Sequence, residues 1–231
     1  ACAVSPDGGT VVSASLDGTL KVWRTDNHTL VHTLARVWEE DAAGRIVPAN
    51  RQGHWSAVQA CDISPSGELL ASASSDQTLI LWSLAEGVAL NLLVGHEAGV
   101  AGCRFSPDGC WLASAGSDRT IRVWNVKTGE ASQVLRCRTS VCAVAWAAGG
   151  QRLWGALVDG SLVAWDIEGG RQSHELGGHT GAVSACAVSV DERLLVSAAA
   201  DGSVRLWDAG RKERPEGVEV SRSSDDWLQC C

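Results

Sequence analysis

The sequence predicts an all-β protein made of repeated antiparallel sheets. One observation is a segment that ends in Trp and recurs five times: DGTLKVW, DQTLILW, DRTIRVW, DGSLVAW and DGSVRLW. Its tryptophans are Trp23, Trp82, Trp124, Trp165 and Trp207, at spacings of 59, 42, 41 and 42 residues. A fixed period near 42 residues indicates that each repeat is one structural unit. The other observation is that no window shows sustained helical periodicity.

Each repeat contains short apolar or alternating segments, such as VAGCRFS, CWLASAG and TIRVWNV. They are rich in Val, Ile, Leu and Trp and are separated by turn signals such as SPDG and SSDQT. This pattern is typical of three or four antiparallel strands of about five residues each.

Three further residue types recur in register with the closing Trp. An Asp precedes the Trp by six residues, a Ser precedes the Asp by four, and a Gly-His pair places its His 22 residues before the Asp. The complete sets are His54, Ser72, Asp76 and Trp82; His96, Ser114, Asp118 and Trp124; and His179, Ser197, Asp201 and Trp207. The fourth repeat keeps Asp159 and Trp165 but has Cys137 and Gly155 at the His and Ser positions.

A period near 42 that opens with Gly-His and closes with Trp resembles the WD40 family of β-propellers. The resemblance covers about residues 1–209 and includes Trp-Asp at Trp165-Asp166 and Trp207-Asp208. It implies four-stranded blades around a channel, with the closing Trp on strand c. Strand a is then the innermost strand (CAVS, CDIS, CRFS, VAW, CAVS), strand b follows it, and strand d is the outermost (LVHTL, ALNLL, ASQVL, SHEL).

The repeat register divides the chain into blades at residues 1–35, 53–94, 95–136, 137–177 and 178–209. Residues 36–52 are an insertion between strand d of the first blade and strand a of the second. Residues 210–231 form a tail in which only GVEV favours a further outer strand, with disorder expected after it. The family usually closes with seven blades, so we expect five blades to be part of a larger or tandem propeller in a multidomain scaffold.

A His, a Ser and an Asp that recur together allow two interpretations. In a hydrolase, Ser attacks, His accepts its proton and Asp orients the His. In a structural network, the Trp N–H, Ser, His and Asp satisfy one another inside a blade, and the resemblance implies the same. A catalytic site is unique, whereas this set recurs in three blades, so we expect a network and no enzyme. The fourth blade should be the loosest, unless its extra Trp146 and Trp154 brace it.

The nine cysteines include no Cys-x-x-Cys pair, so no metal or cofactor is expected. Four of them, Cys2, Cys61, Cys103 and Cys186, occupy one repeated strand position, which favours reduced, buried thiols. Reduced thiols are typical of the cytoplasm and the nucleus. No apolar run approaches the roughly 18 residues of a membrane-spanning helix.

The formal net charge of −8 argues against a dominant phosphate-binding surface. The resemblance implies a scaffold that binds other proteins or peptides, with no small-molecule substrate, through the face that carries the d–a and b–c loops. The alternative is an RNA-binding propeller of a telomerase- or vault-type ribonucleoprotein. It requires a basic face hidden by the overall charge, so RNA is expected only as an indirect partner.

Candidate partner-binding residues fall in two groups. Trp55, Glu97 and Arg138 directly follow the Gly-His position, where the d–a loop leads into strand a. Trp38, Glu39, Glu40 and Asp41 lie in the insertion. Trp and Arg are enriched in binding hot spots. The mixed charge and the Gly, Pro and Asn content of the insertion favour disorder in isolation, and the alternative is that it forms part of the partner site.

Overall fold

The computed structural model describes residues 1–36 and 53–210, together with the backbone of 38–40, 46–48 and 218–222. The chain divides into two compact units, residues 1–100 and 101–231. Among the described residues every regular element is a strand, and none forms a helix long and apolar enough to cross a membrane. The all-β expectation is confirmed.

Blade one opens the first unit and is a four-stranded antiparallel sheet. Its strands are β1 (Cys2–Val4), β2 (Thr10–Ala14), β3 (Leu20–Arg24) and β4 (Leu30–Leu34), and they pair in chain order. The SPDG segment makes its first turn. Ser5 Oγ donates to Asp7 Oδ1 at 2.5 Å, and the same oxygen accepts the N–H of Gly9 at 2.9 Å. In this turn the short polar side chains of Ser5 and Asp7 therefore provide hydrogen bonds that the backbone of a regular strand would otherwise make.

The insertion contains a small two-stranded sheet of its own. Strand β5 (Trp38–Glu40) pairs antiparallel with β6 (Ile46–Pro48). The composition favoured disorder in isolation; β-branched Ile46 and Val47 opposite Glu40 and Glu39 provide the strand propensity that a count of Gly, Pro and charge overlooks. Asp41 lies outside the described residues.

The two ends of the insertion meet at a narrow neck. Gly53 has φ +135°, and a Cβ placed there would lie 2.3 Å from the N of Arg36 and 2.6 Å from the carbonyl carbon of Ala35. Only glycine fits this approach of two backbones. The chain therefore leaves blade one and returns at nearly the same point.

Blade two completes the first unit. Its strands are β7 (Val58–Ile63), β8 (Leu69–Ser74), β9 (Thr78–Ser83) and β10 (Val88–Val94), with β10 at the outer edge. Strands β8 and β9 carry the most deeply buried side chains, including Leu70, Ile80 and Trp82. They pack with Leu20 and Val22 of blade one in a single apolar cluster.

The second unit holds blades three, four and five, each with four antiparallel strands in chain order. Blade three contains β11 (Val100–Phe105), β12 (Trp111–Gly116), β13 (Thr120–Asn125) and β14 (Ala131–Arg136). Blade four contains β15 (Val141–Trp146), β16 (Arg152–Leu157), β17 (Ser161–Asp166) and β18 (Arg171–Gly177). Blade five contains β19 (Val183–Val188), β20 (Leu194–Ala199), β21 (Ser203–Asp208) and β22 (Val218–Arg222). Strand β22 includes the Val218–Val220 part of the GVEV segment.

The cysteines of the repeated strand position differ in burial. Cys61 and Cys103 are buried and Cys186 is partly buried, but Cys2 is exposed. Cys110 is exposed as well. The expectation of uniformly buried thiols is therefore wrong for Cys2, because no described residue of the first unit covers that position of β1. The seven described cysteines are all free thiols.

The neck gives a direct test of the fold. We expect Gly53→Ala to lower the free energy of unfolding by at least about 2 kcal/mol, since the methyl group must displace backbone atoms. Gly170→Ala is the matched control, because Gly170 has φ +59° and a methyl group there would meet no described atom within 4 Å. Urea denaturation of both variants measures the difference. Equal losses would show that the neck is not closely packed in solution.

Candidate functional site

A chain of four buried side chains crosses blade two from strand c to the d–a loop. The indole N–H of Trp82 donates to Ser72 Oγ at 2.8 Å. Ser72 Oγ lies 2.8 Å from His54 Nε2, and His54 Nδ1 lies 2.9 Å from Asp76 Oδ2. Every polar group in the chain is satisfied when Ser72 donates to Nε2 and His54 carries its proton on Nδ1. The four residues are 0–5% exposed.

Asp76 has a second task, which is to close the b–c turn. Its Oδ1 accepts the hydroxyl of Thr78 at 2.6 Å and the backbone N–H of the same residue at 3.0 Å. Its Oδ2 also accepts the backbone N–H of Trp55 at 3.1 Å. Burial favours the protonated acid, but the hydrogen bonds that Asp76 accepts from His54 and Thr78 lower its pKa to about 2. One carboxylate thus joins strand b, strand c and the d–a loop.

Blade five repeats this geometry. Trp207 Nε1 donates to Ser197 Oγ at 2.7 Å, which lies 2.7 Å from His179 Nε2. His179 Nδ1 lies 3.1 Å from Asp201 Oδ2. The backbone N–H of Thr180 donates to the same oxygen at 2.8 Å, as Trp55 does in blade two. Hydrogen bonds hold the pKa of Asp201 below its usual range despite the opposing effect of burial.

Blades one and three contain the same Trp–Ser and Asp–Thr contacts. Trp124 Nε1 donates to Ser114 Oγ at 2.9 Å, and Thr120 Oγ1 donates to Asp118 Oδ1 at 2.7 Å. His96 is buried. In blade one, Trp23 Nε1 donates to Ser13 Oγ at 3.2 Å and Thr19 donates to Asp17. The structure therefore brings together the predicted network residues of blades two and five, and places those of blade three in buried positions or turns.

The order Asp, His, Ser matches that of a hydrolase triad, but the serines are inaccessible. Ser72 is 0% exposed and Ser197 is 1% exposed. Each Oγ also accepts an indole N–H, so one lone pair is engaged. A nucleophile must reach a substrate carbon, and these oxygens face a Trp inside a sheet. The geometry of the set is that of a structural hydrogen-bond network. In the described part of the chain, no three His, Cys, Asp or Glu side chains are placed to hold a metal ion.

Blade four replaces the network with apolar packing. A Cβ at Gly155, the Ser position, would lie 2.6 Å from Ile121 Cδ1, so the side chain of the preceding blade fills that space. The indole N–H of Trp165 has no oxygen or nitrogen acceptor among the described residues and lies near the Cys137 thiol instead. Burial raises the pKa of the Cys137 thiol to about 11, and the nearby Trp165 N–H offsets only part of that rise. Ser and His are lost together, as expected for members of one network.

Blade four retains Asp159, and its carboxylate pairs with an arginine where blades two and five have a histidine. The guanidinium of Arg138 donates through Nε to Asp159 Oδ2 and through Nη1 to Glu175 Oε1, the latter at 2.6 Å. Burial works to raise the pKa of Asp159, but the hydrogen bonds from Arg138 and Ser161 and the Arg138 charge lower it overall. Arg138, predicted as a partner-binding residue, is therefore held by two internal ion pairs, although 54% of its side chain is exposed.

The extra tryptophans of blade four contact residues outside their own strands. Trp154 is fully buried in a cluster with Leu176 and Trp207. Trp146 donates its indole N–H to the backbone oxygen of Arg104 in blade three at 3.0 Å. Trp154 therefore adds apolar packing, and Trp146 adds a hydrogen bond to blade three, in the blade that has Cys and Gly at the His and Ser positions.

The d–a loop of blade two carries an exposed tryptophan. Trp55 is 66% exposed, although the His54 beside it is 3% exposed. The b–c turn of blade one packs against the same loop, because a Cβ at Gly18 would lie 3.3 Å from His54 O and 3.2 Å from Ser56 O. Leu16, in that turn, is 77% exposed. The sequence places Leu16 directly before the b–c Asp17 but does not single it out, since its exposure depends on the packing of a turn against the next blade.

The other predicted binding residues are placed as follows. Glu97 is exposed in the loop that leads into β11. Trp38, Glu39 and Glu40 lie on β5, where the structure describes the backbone only. Asp41 lies outside the described residues. The candidate site of the first unit therefore rests on Trp55 and Leu16.

A family model described as "WD domain, G-beta repeat" matches residues 1–24, 48–83, 87–125 and 170–208, more than half of the chain. The chain belongs to the WD40 repeat family. The matched segments omit residues 126–169, which contain most of blade four. This is the WD40 repeat in which the Ser–His pair is replaced, so the family pattern and the hydrogen-bond network are lost in the same place.

Similar WD40 proteins include telomerase protein component 1 from Rattus norvegicus, 32% identical over 216 residues, and from Mus musculus, 36% identical over 211 residues. Each match covers 91% of this chain and 6% of the relative. Autophagy-related protein 16 from Arabidopsis thaliana is 22% identical over 233 residues, which are 34% of that protein. A solved structure of U3-55K superposes with a TM-score of 0.79 at 26% identity, covering 91% of this chain and 61% of that one. The chain thus spans a small part of these curated relatives.

The network predicts a cost for removing its central serine. We expect Ser72→Ala to lower the free energy of unfolding by about 3 kcal/mol, because it leaves Trp82 Nε1 and His54 Nε2 buried without partners. Ser75→Ala is the control: Ser75 lies in the same blade, is exposed, and accepts a hydrogen bond from Gln59 at 2.8 Å. It should change stability by less than about 0.5 kcal/mol. Urea denaturation compares the two, and similar values would contradict a stabilising network.

The low pKa of Asp76 predicts a specific acid sensitivity. The carboxylate contributes stability above the ordinary Asp pKa of 3.8, and that contribution is lost as the pH falls toward about 2. The unfolding free energy of the wild type should therefore fall on the order of 1–2 kcal/mol more between pH 5 and pH 2 than that of Asp76→Asn, allowing for solvent screening. Asp26→Asn, at an exposed turn, is the control. Parallel pH curves for wild type and Asp76→Asn would contradict the assignment.

Proposed function

We propose that this WD40 chain is a non-enzymatic interaction scaffold in a multiprotein or ribonucleoprotein assembly. We infer that it binds partner proteins through the loop face that carries the d–a and b–c loops. The single observation that carries this proposal is Trp55, a 66% exposed indole beside a buried network. Leaving a large aromatic side chain in water is unfavourable relative to burying it against a partner. Such residues are enriched at binding hot spots.

The backbone of Trp55 supports a preorganised site. Its N–H donates to Asp76 Oδ2, and the preceding His54 is anchored by the same carboxylate. The loop therefore loses little conformational freedom when a partner binds. A hot-spot residue on a rigid loop gains more affinity than the same residue on a mobile one.

Leu16 is an exposed apolar residue on a turn that adjoins the Trp55 loop. The turn that carries Leu16 is tied to the Trp55 loop, because Val58 N–H donates to Ser15 O at 3.0 Å and Gly18 lies against His54 O. Two exposed apolar side chains on adjoining loops favour an apolar side chain of a protein partner over a phosphate backbone.

The insertion supports the same face. Its neck closes at Gly53, two residues before Trp55, so the hairpin of β5 and β6 originates beside the exposed indole. We propose that Trp38, Glu39, Glu40 and Asp41 enlarge the partner site. The negative charge of Glu39, Glu40 and Asp41 would favour a partner that has basic residues around the apolar side chain that contacts Trp55.

Arg138 and Glu97 contribute less to this proposal. The guanidinium of Arg138 already bonds Asp159 and Glu175, so a partner must compete with two internal ion pairs. Replacing Arg138 would also release Asp159, and its variants would report on blade four as well as on binding. Trp55 and Leu16 are therefore the cleaner test positions.

The ribonucleoprotein context is proposed from the relatives. The name of telomerase protein component 1 states membership of telomerase, which is said of that protein alone. This chain has 27 acidic against 19 basic residues, which disfavours a surface that binds RNA through its phosphates. We infer that any RNA in the assembly is held through protein partners.

The proposal predicts a selective loss of partners. Trp55→Ala combined with Leu16→Ser should weaken partner capture at least about tenfold without lowering the melting temperature. Val190→Ser is the control, since Val190 is 89% exposed on a turn of blade five. Quantitative affinity capture with and without ribonuclease compares the three proteins. Unchanged capture by the double variant would remove the site, and capture abolished by ribonuclease alone would favour direct RNA binding.

A second test concerns the insertion. A chain lacking residues 37–52, with Arg36 joined to Gly53, should keep the wild-type melting temperature because the neck atoms are already adjacent. It should bind partners more weakly than the wild type in the same capture experiment. Unchanged binding would remove the insertion from the proposed site while leaving Trp55 in it.

A further inference from the structure

The outer edge of blade two is an apolar strand with no charged residue. Strand β10 pairs with β9, and no other described strand pairs with it. Four of its side chains are exposed at alternate positions: Val88 (38%), Leu90 (51%), Leu92 (45%) and Val94 (67%). This surface lies outside the loop face and has no part in the proposed function above.

The sister strands show that this composition is not a requirement of the blade. The outer strands of blades one to four have the same bulge beside the closing Trp, so their positions correspond. Leu92 corresponds to Thr33, Val134 and Glu175, and Val94 corresponds to Arg136 in blade three. Strand β4 has two exposed large apolar residues, β14 has one and β18 has none. Polar and charged residues are therefore accepted at the positions where β10 has Leu and Val.

An edge strand without protection is a template for another strand. Proteins usually guard such edges with charged residues, Pro or bulges. The bulge between Ala89 and Asn91 interrupts the first part of β10, but Asn91–Val94 pairs regularly with β9. The outward N–H and C=O groups of that regular part, with the exposed Leu92 and Val94, fit an added strand.

The exposed area decides between a second copy of this chain and a short extended segment. The four side chains expose on the order of 300 Å² of apolar surface, whereas a stable protein–protein interface needs about 800 Å² from each partner. Two copies joined at β10 would also bring together chains of formal charge −8. A single extended segment can cover this strip and gain main-chain hydrogen bonds in addition.

We propose that the edge of β10 binds an extended segment of another protein as a fifth strand of blade two. The segment is five to seven residues long, with alternating β-branched or Leu side chains and no charge at its centre. A basic residue at its end would complement the exposed Glu86 that precedes β10. The main-chain hydrogen bonds supply affinity, and the alternate side chains against Leu92 and Val94 supply selectivity.

The test uses a fluorescent synthetic peptide of alternating valine and threonine with an arginine at each end. Anisotropy should show binding to the wild-type chain, and Leu92→Glu combined with Val94→Arg should weaken it at least about tenfold. Both new residues occur at the corresponding positions of β18 and β14, so the variant is expected to fold. Val134→Glu is the matched control, because Val134 occupies the Leu92 position on β14 and is 44% exposed.

Two further measurements complete the test. The same peptide with N-methyl groups on alternate amides cannot pair as a strand and should lose binding to the wild type. Equal binding of the methylated peptide, equal binding to the double variant, or no binding to the wild type would overturn the proposal. A concentration-dependent dimer in sedimentation that the double variant abolishes would also overturn it in favour of a second copy.

Discussion

The Asp carboxylate of the b–c turn is the group on which the local architecture of each blade depends. In blade two, one oxygen of Asp76 fixes the turn through Thr78, and the other holds His54 and the backbone of Trp55. Through His54 and Ser72 the same chain of hydrogen bonds reaches Trp82 on strand c. One ionised carboxylate therefore links three segments that are distant in sequence, through its own hydrogen bonds and those of His54 and Ser72.

Blade four separates the two tasks of this carboxylate. Asp159 still closes its turn through Ser161, at 2.6 Å between Oδ1 and Oγ, but no His is present to take the other oxygen. Arg138 fills that role from the surface and adds Glu175 to the pair. The turn explains why Asp159 is present in a blade without Ser and His. The structure shows that Asp159 closes the b–c turn, a role that the alignment of the repeats alone does not reveal.

The repeat register predicted the blades and the network because both depend on fixed spacing within one repeat. The contacts of His54 with Ser72 and Asp76 follow from positions that recur. Contacts between blades were not predictable in this way. Ile121 fills the space at Gly155, and the turn of Leu16 meets the loop of Trp55, only after two sheets have packed. Spacing contains no information on which side chain of one blade reaches a gap in the next.

Exposure is the other quantity that the sequence did not provide. An alternating strand such as β10 has one face toward the sheet core, but its pattern does not tell whether the other apolar face is covered. The same holds for Trp55, since the register located it and the structure showed that the indole is exposed while its backbone is anchored. Both proposed binding surfaces of blade two therefore combine a rigid backbone with apolar groups left in water. A fold whose stability is secured by internal networks can keep such groups at its surface, because the blade does not need their burial to fold.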